Sequence, residues 1–149
     1  MPTPSFAFSA GGTLAMLSWL SLSVSLFLGQ GPRSAIWTGT TIAVPALLGL
    51  AYAILITQGF RAGIGGGFGS IAAVRQLFSN DAALAAGWLH YLAFDLFAGS
   101  WIAREGLDVG VPKLLILPCL LATFLVGPVG LLVFLVLRLA LAGRFGVGA

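Results

Sequence analysis

Charged side chains are scarce in this chain of 149 residues, and their scarcity decides its class. They make up 7% of the residues, whereas soluble domains carry about 25%. Seven lysines and arginines with four aspartates and glutamates are too few to coat a globule of this size. Together with a hydrophobic share of 59%, this excludes a water-soluble enzyme, a disordered tail and a nucleic-acid-binding module. We therefore expect an integral membrane protein.

Cysteine and histidine occur once each, at Cys119 and His90. A single cysteine precludes an intrachain disulfide and a cluster of thiolates. His90 and three acidic residues at different depths, Asp95, Glu105 and Asp108, fall short of a metal-ligand set. We therefore expect no metal site, and the sequence leaves any cofactor unknown. No basic stretch precedes the first apolar segment, so we expect no cleaved signal peptide.

Long apolar segments predict the architecture, because ~20 apolar residues suffice to cross the ~30 Å hydrocarbon core as a helix. We expect spans at about 13–29, 36–57, 82–103 and 111–141. Small residues recur every four positions on the second segment, a spacing that lets helix backbones approach closely. The predicted fold class is an all-α integral membrane protein, a four-transmembrane-helix bundle that forms a single domain over residues 1–149.

The connection at residues 58–81 is rich in glycine. It lacks the lysine and the preceding strand that a phosphate-binding loop of the Walker type requires, so we interpret it as a flexible loop. Within it, Ile71, Val74 and Phe78 follow helical spacing beside Arg75. This pattern predicts a short interfacial helix that leads into the third span.

Basic residues predict the orientation in the membrane. In the four-span arrangement Lys113 and Arg138 reach opposite ends of the fourth helix. Four basic residues then lie on the side of both termini (Arg61, Arg75, Arg138 and Arg144), against three on the other side (Arg33, Arg104 and Lys113). Cytoplasmic loops carry the excess of Lys and Arg, so this count favours cytoplasmic termini. The short, compact chain indicates the bacterial inner membrane.

The third segment holds the residues with the most chemistry, since His90 and Asp95 both lie near its middle. A carboxylate at that depth costs at least ~2.5–3.5 kcal/mol, so Asp95 should face the protein interior and bond a polar group on another helix, such as Thr41 or Ser21. The two residues are about 140° apart around the helix, so they would flank a pocket without touching. A purely structural interpretation of each residue remains open.

Four blocks of the sequence resemble the family named from the plant abscisic-acid-deficient-four protein. They are residues 74–78, 90–102, 117–120 and 127–132. The block at 90–102 is the most specific, because a histidine and an aspartate among aromatic residues are uncommon in a span. Ser100 departs from the basic residue that the family often carries before its tryptophan.

The resemblance implies carotenoid metabolism, since plant members are tied to the isomerisation of violaxanthin to neoxanthin. That reaction converts an epoxide end group into an allenic alcohol. By this resemblance Asp95 is the acid and His90 the base, and the partner is a carotenoid or another isoprenoid lipid. The residues implied to line the polyene are Trp88, Tyr91, Phe94, Phe97, Trp101 and Thr123.

Two other functions stay open at this point. A different, oxidative carotenoid-modifying enzyme would need a metal or an electron donor, and the sparse ligand inventory argues against it. A non-catalytic pigment- or lipid-binding subunit would pack in a homo-oligomer or a larger membrane complex without turning over its ligand.

Overall fold

The computed structural model describes residues 3–142, so Arg144 lies outside the described residues. A π-helical turn, Gly39–Ala43, joins α2 to α3, and no strand occurs in the described part. The α-helices of residues 3–142 are α1 (Pro4–Ser25), α2 (Gln30–Thr38), α3 (Val44–Arg61), α4 (Ile71–Leu77), α5 (Asp81–Asp108), α6 (Lys113–Val126) and α7 (Pro128–Ala142).

Among the described residues, three helical segments are long and apolar enough to cross a membrane: Pro4–Ser25, Gln30–Arg61 and Asp81–Asp108. They correspond to the first three predicted spans. The second and third extend beyond their expected bounds at both ends, whereas the first begins earlier than expected and ends at Ser25, four residues before its expected end. The short α4 lies where the interfacial helix was predicted, and the Ser70 hydroxyl caps it by accepting from the Ala73 N–H. The all-helical membrane class is therefore confirmed.

Pro45 explains why a π-helical turn interrupts the segment Gln30–Arg61. A proline inside a helix lacks the N–H that would donate to the carbonyl four residues earlier, here Thr41, and its ring crowds that carbonyl. The turn at Gly39–Ala43 absorbs this conflict. It also places Thr40 against α5, where the buried Ser100 hydroxyl donates to Thr40 Oγ1 at 2.8 Å.

The expected fourth span is two helices rather than one. Pro128 starts α7 because it cannot continue α6, and Gly127 between them has φ +41°. A Cβ on Gly130 would collide with the backbone and hydroxyl of Thr123, so α7 folds back along α6. The helices have 14 and 15 residues, or about 21 and 22 Å, each shorter than the ~30 Å hydrocarbon core. We call this pair the α6–α7 hairpin.

The open end of the α6–α7 hairpin packs against the C-terminal part of α5. A Cβ on Gly106 would lie 2.8 Å from Ile116 of α6 and 3.3 Å from Phe134 of α7. Arg138 donates to Glu105 Oε1 from Nε at 2.9 Å and from Nη2 at 2.6 Å. Arg138 thus lies beside the C-terminal part of α5, and Lys113 begins α6 shortly after that same end of α5. The expectation that Lys113 and Arg138 mark opposite ends of one helix is therefore wrong.

The internal packing divides the chain into two units. The first unit comprises Met1–Met16 and Val44–Phe94, and leucines such as Leu48, Leu55 and Leu89 form its core. The second comprises Leu17–Ala43 and Asp95–Ala149, and its fully buried side chains include Leu22, Ile116 and Phe134. His90 belongs to the first unit and Asp95 to the second.

Candidate functional site

His90 lies on an apolar pocket in the first unit. The pocket has a volume of about 300 Å³, and among its lining side chains only those of His90 and Tyr52 carry polar atoms. Helix α5 supplies Gly87 and His90 at helical spacing, and α3 supplies Tyr52 and Ile56 in the same way. The complete lining is Tyr52, Ile56, Phe68, Leu77, Phe78, Ala83, Gly87 and His90. We call this cavity the His90 pocket.

Aromatic rings fix the position of the imidazole. The centroid of the His90 ring lies 4.6 Å from that of Phe94 and 5.7 Å from that of Tyr52, both in tilted arrangements. His90 itself is exposed at the surface of the protein. The imidazole is therefore accessible without displacement of a core side chain.

The lack of a side chain at Gly87 makes room for Phe78, which also lines the pocket. A Cβ at this position would lie 2.7 Å from the ring of Phe78, which follows α4 directly. Without that Cβ, Phe78 lies close against α5. The connection between α3 and α5, which the sequence predicted as a flexible loop with a short interfacial helix, thus supplies Phe68 and Phe78 to the pocket.

Asp95 lies at the turn of the α6–α7 hairpin. Its Oδ1 and Oδ2 are 2.8 and 3.1 Å from the position that a Cβ on Gly127 would take, and Oδ2 is fully buried. The first residues of α7 follow Gly127, and a negative charge is favourable near a helix N-terminus. Asp95 thus points into the helical packing, as the cost of a carboxylate in hydrocarbon requires.

The hydroxyls suggested as partners of Asp95 have other surroundings. Ser21 donates to the carbonyl oxygen of Ser18 at 2.9 Å. Thr41 Oγ1 is buried and forms no hydrogen bond within the part of the chain that the structure describes. The suggestion of Thr41 as the partner is therefore wrong; the Asp95 carboxylate lies at the hairpin turn instead.

The residues predicted to bind substrate fall in both units. Trp88 lies 5.3 Å from Phe8 and 5.7 Å from Tyr91 between ring centroids, whereas Trp101 meets Phe134 edge-on at 5.4 Å. The side chains of Phe94 and Phe97 are 64% and 51% exposed, and Phe94 contacts His90.

Thr123 is fully buried in α6. It donates to the Cys119 carbonyl at 2.8 Å and packs against Gly130. These contacts assign it a place in the hairpin packing.

Sequence reasoning identified only His90 among the pocket residues, and Tyr52 is the polar one that it missed. It lies on the second predicted span, and only the packing of α3 beside α5 brings its ring to His90. No pattern within α3 distinguishes it from a core aromatic residue. Within residues 3–142, no three His, Cys, Asp or Glu side chains are arranged to hold a metal ion.

Comparison with known proteins adds one finding. A family model described as ABA DEFICIENT 4-like matches residues 6–134, which include His90, Asp95 and all residues that line the His90 pocket. The resemblance indicated by the sequence blocks is thereby confirmed. No curated protein and no solved structure matches the chain.

Proposed function

The chain belongs to the ABA4-like family, and on that premise we propose that it is a membrane-embedded carotenoid-modifying enzyme whose substrate enters the His90 pocket. The family and the apolar helices support a carotenoid-related role in the membrane. The observation that carries the finer proposal is the pocket itself, an apolar cavity in which a histidine and a tyrosine are the polar side chains. Ligand sites typically combine an apolar wall with a few polar groups.

The size of the pocket defines which part of the substrate it takes. Its volume of about 300 Å³ is at the lower limit of typical ligand pockets, which span roughly 300–1,000 Å³. The ring-shaped end group of an isoprenoid fits a pocket of this volume, whereas an entire carotenoid is too long to fit within it. In this proposal the end group enters the pocket and the polyene extends among the lipid acyl chains.

The proposed reaction is an isomerisation of a xanthophyll epoxide. A proton is delivered to the epoxide oxygen as one C–O bond breaks, and a proton leaves a neighbouring polyene carbon as the allene forms. Atoms and electrons balance without an oxidant. His90 is the proposed base because its ring is at the pocket, and general acid–base catalysis of this kind contributes about 10²–10⁴-fold to a rate.

Asp95 is the proposed proton donor, as the family resemblance implies. Its contact with Gly127 equally supports a structural role in which it stabilises the turn of the α6–α7 hairpin. Phe94 and Tyr52 are proposed to hold the end group beside the imidazole. Trp88, Tyr91, Phe97 and Trp101 are proposed to contact the polyene, with Thr123 as a further contact.

The test is expression of the chain in bacteria that produce defined carotenoids. The pigments are separated by chromatography, and their molecular masses are measured by mass spectrometry. Wild type should convert an epoxide xanthophyll into a product of unchanged mass. His90→Gln should lower the amount of product about 100-fold or more at equal protein in the membrane. Leu84→Ala, an exposed position on the same helix, should leave it unchanged.

Asp95→Asn separates the two roles of Asp95. If the carboxyl delivers a proton, the variant accumulates normally but forms no product; if its role is structural, product and accumulation change together. A product heavier by oxygen would favour an oxidative enzyme. A pigment that copurifies unaltered with wild type would favour the non-catalytic binding subunit, and product formation by His90→Gln would exclude His90 as the base.

A further inference from the structure

One end of the second unit carries three cations on two aromatic rings. Arg33 and Arg104 lie over the Trp37 ring, and Lys113 lies over the Phe27 ring. We call these five residues the cationic cluster. We propose that it binds the phosphate group of an anionic phospholipid, at a site that shares no residue with the His90 pocket and is independent of the function proposed for that pocket.

Arg33 organises the cluster from α2. Its Nε donates to the carbonyl of Ser25 at 3.2 Å and its Nη2 to that of Leu28 at 2.5 Å, so it satisfies carbonyls at the C-terminal end of α1. Its guanidinium carbon lies 5.7 Å from the centroid of Trp37, and the Trp37 indole N–H donates to Ser25 Oγ at 3.0 Å. The Trp37 ring is therefore held in place by a hydrogen bond and a cation–π contact.

Arg104 and Lys113 are the cations available to a ligand. The Arg104 guanidinium carbon lies 5.5 Å from the Trp37 centroid, and Lys113 Nζ lies 5.7 Å from the Phe27 centroid. Both side chains are exposed. Glu105, the acidic neighbour of Arg104, is engaged by Arg138, and within the described residues neither Arg104 nor Lys113 forms an ion pair. A ligand would therefore displace no ion pair of the described residues when it binds Arg104 and Lys113.

Two helix N-termini add to the positive potential. Helix α2 begins after Gly29 and α6 after Pro112, and neither cap residue makes a side-chain hydrogen bond to the helix. The partial positive charge at a helix N-terminus favours an anion. The carbonyls that would oppose this effect at the end of α1 are covered by Arg33.

The position of the cluster identifies the source of the phosphate. Long apolar helices end here: α1 at Ser25 and α5 at Asp108. The ends of spanning helices lie at the headgroup region, where tryptophan and basic residues are enriched. A guanidinium and an ammonium there meet lipid phosphates, and each basic residue near an anionic surface contributes measurably to binding. An anionic lipid is therefore the proposed occupant.

The test compares phosphatidylglycerol with phosphatidylcholine by native mass spectrometry of the whole chain in detergent. Wild type should bind phosphatidylglycerol more tightly. The double variant Arg104→Gln/Lys113→Gln should weaken phosphatidylglycerol binding by about fivefold for each residue, about 25-fold in total, and leave phosphatidylcholine binding unchanged. Arg104→Lys/Lys113→Arg, which keeps both charges, should retain most of the preference.

A matched control removes the same charge elsewhere. Arg61→Gln/Arg75→Gln replaces two exposed cations of the first unit and should leave the lipid preference intact. Equal weakening by both double variants would show a non-specific charge effect and overturn the proposal. Unchanged binding in Arg104→Gln/Lys113→Gln would do the same. Displacement of phosphatidylglycerol by inorganic phosphate at equal concentration would assign the site to free phosphate instead of lipid.

Discussion

Asp95 and Gly127 constrain each other at the level of single atoms. A carboxylate buried among helices needs polar surroundings, and the turn that precedes α7 brings backbone groups to it. The same approach leaves no room for a side chain on Gly127, because a Cβ would lie 2.8 Å from Asp95 Oδ1. Gly127 also has φ +41°, a conformation that L residues rarely adopt. Two independent reasons thus require glycine here.

Gly127→Ala should therefore destabilise the protein. The backbone strain alone costs about 1–3 kcal/mol, and the contact with Asp95 adds to it. Gly49→Ala is the matched control, since Gly49 lies in α3 and a Cβ there meets nothing within 4 Å. Unfolding in detergent, followed by tryptophan fluorescence over an SDS titration, should show a loss for Gly127→Ala and none for Gly49→Ala. Equal SDS unfolding midpoints for Gly127→Ala and Gly49→Ala would contradict the turn geometry assigned to Gly127.

The sequence predicted some properties of the site residues and missed others. The inward direction of Asp95 followed from the cost of charge in hydrocarbon, which depends only on the depth of the residue. The contact between His90 and Tyr52 could not be predicted, because it depends on which face of α3 meets α5. Periodicity describes one helix at a time, whereas a pocket is defined by how helices pack.

The α6–α7 hairpin shows the same limit at the level of elements. Apolar residues run almost unbroken from Val111 to Leu141, and proline inside a spanning helix commonly produces only a kink. What turns a kink into a reversal is the close fit between Gly130 and Thr123 on either side of Gly127. Hydropathy carries no information on that fit. The three longer helices were predictable because length and composition suffice for them.

The pair Arg138–Glu105 should hold α7 of this hairpin against α5. The side chains are 4% and 14% exposed, so removal of either one takes the ion-pair partner from a largely buried charge. Arg138→Leu or Glu105→Leu alone should cost about 3–5 kcal/mol, whereas the double variant should recover much of that loss.

The measurement for this pair is a double-mutant cycle from SDS unfolding midpoints. Arg75→Leu, at an exposed position, serves as the control for loss of a cation. Additive losses in the cycle would show that the two side chains do not act as a pair.

For the whole molecule, the hairpin changes the distribution of charge that governs orientation. The predicted excess of basic residues near the termini was four against three and depended on Arg138. Because Arg138 pairs with Glu105, it joins Arg33, Arg104 and Lys113 at the end of the second unit that holds the cationic cluster. By the rule that basic residues stay in the cytoplasm, this end is now expected on the cytoplasmic side.

Cysteine labelling tests this topology. Cys119 is the single native cysteine and is buried, so Cys119→Ser gives a background without thiols. Ser34→Cys near the start of α2 and Leu141→Cys near the end of α7 are both exposed, and the hairpin predicts that they lie on one side of the membrane. Ser5→Cys, at the beginning of α1, should lie on the other side, since α1 alone is about 33 Å long.

A membrane-impermeant maleimide applied to intact cells should therefore label Ser5→Cys and spare Ser34→Cys and Leu141→Cys, and inverted vesicles should give the reverse pattern. Labelling of Leu141→Cys together with Ser5→Cys would mean that residues 111–141 cross the bilayer once, against the reversal at Gly127. If all three cysteine variants show the opposite labelling, the hairpin is supported and the cytoplasmic assignment of the cationic cluster is wrong. Topology and orientation thus have distinct outcomes in one experiment, because the first depends on packing between α6 and α7 and the second on the position of four cations.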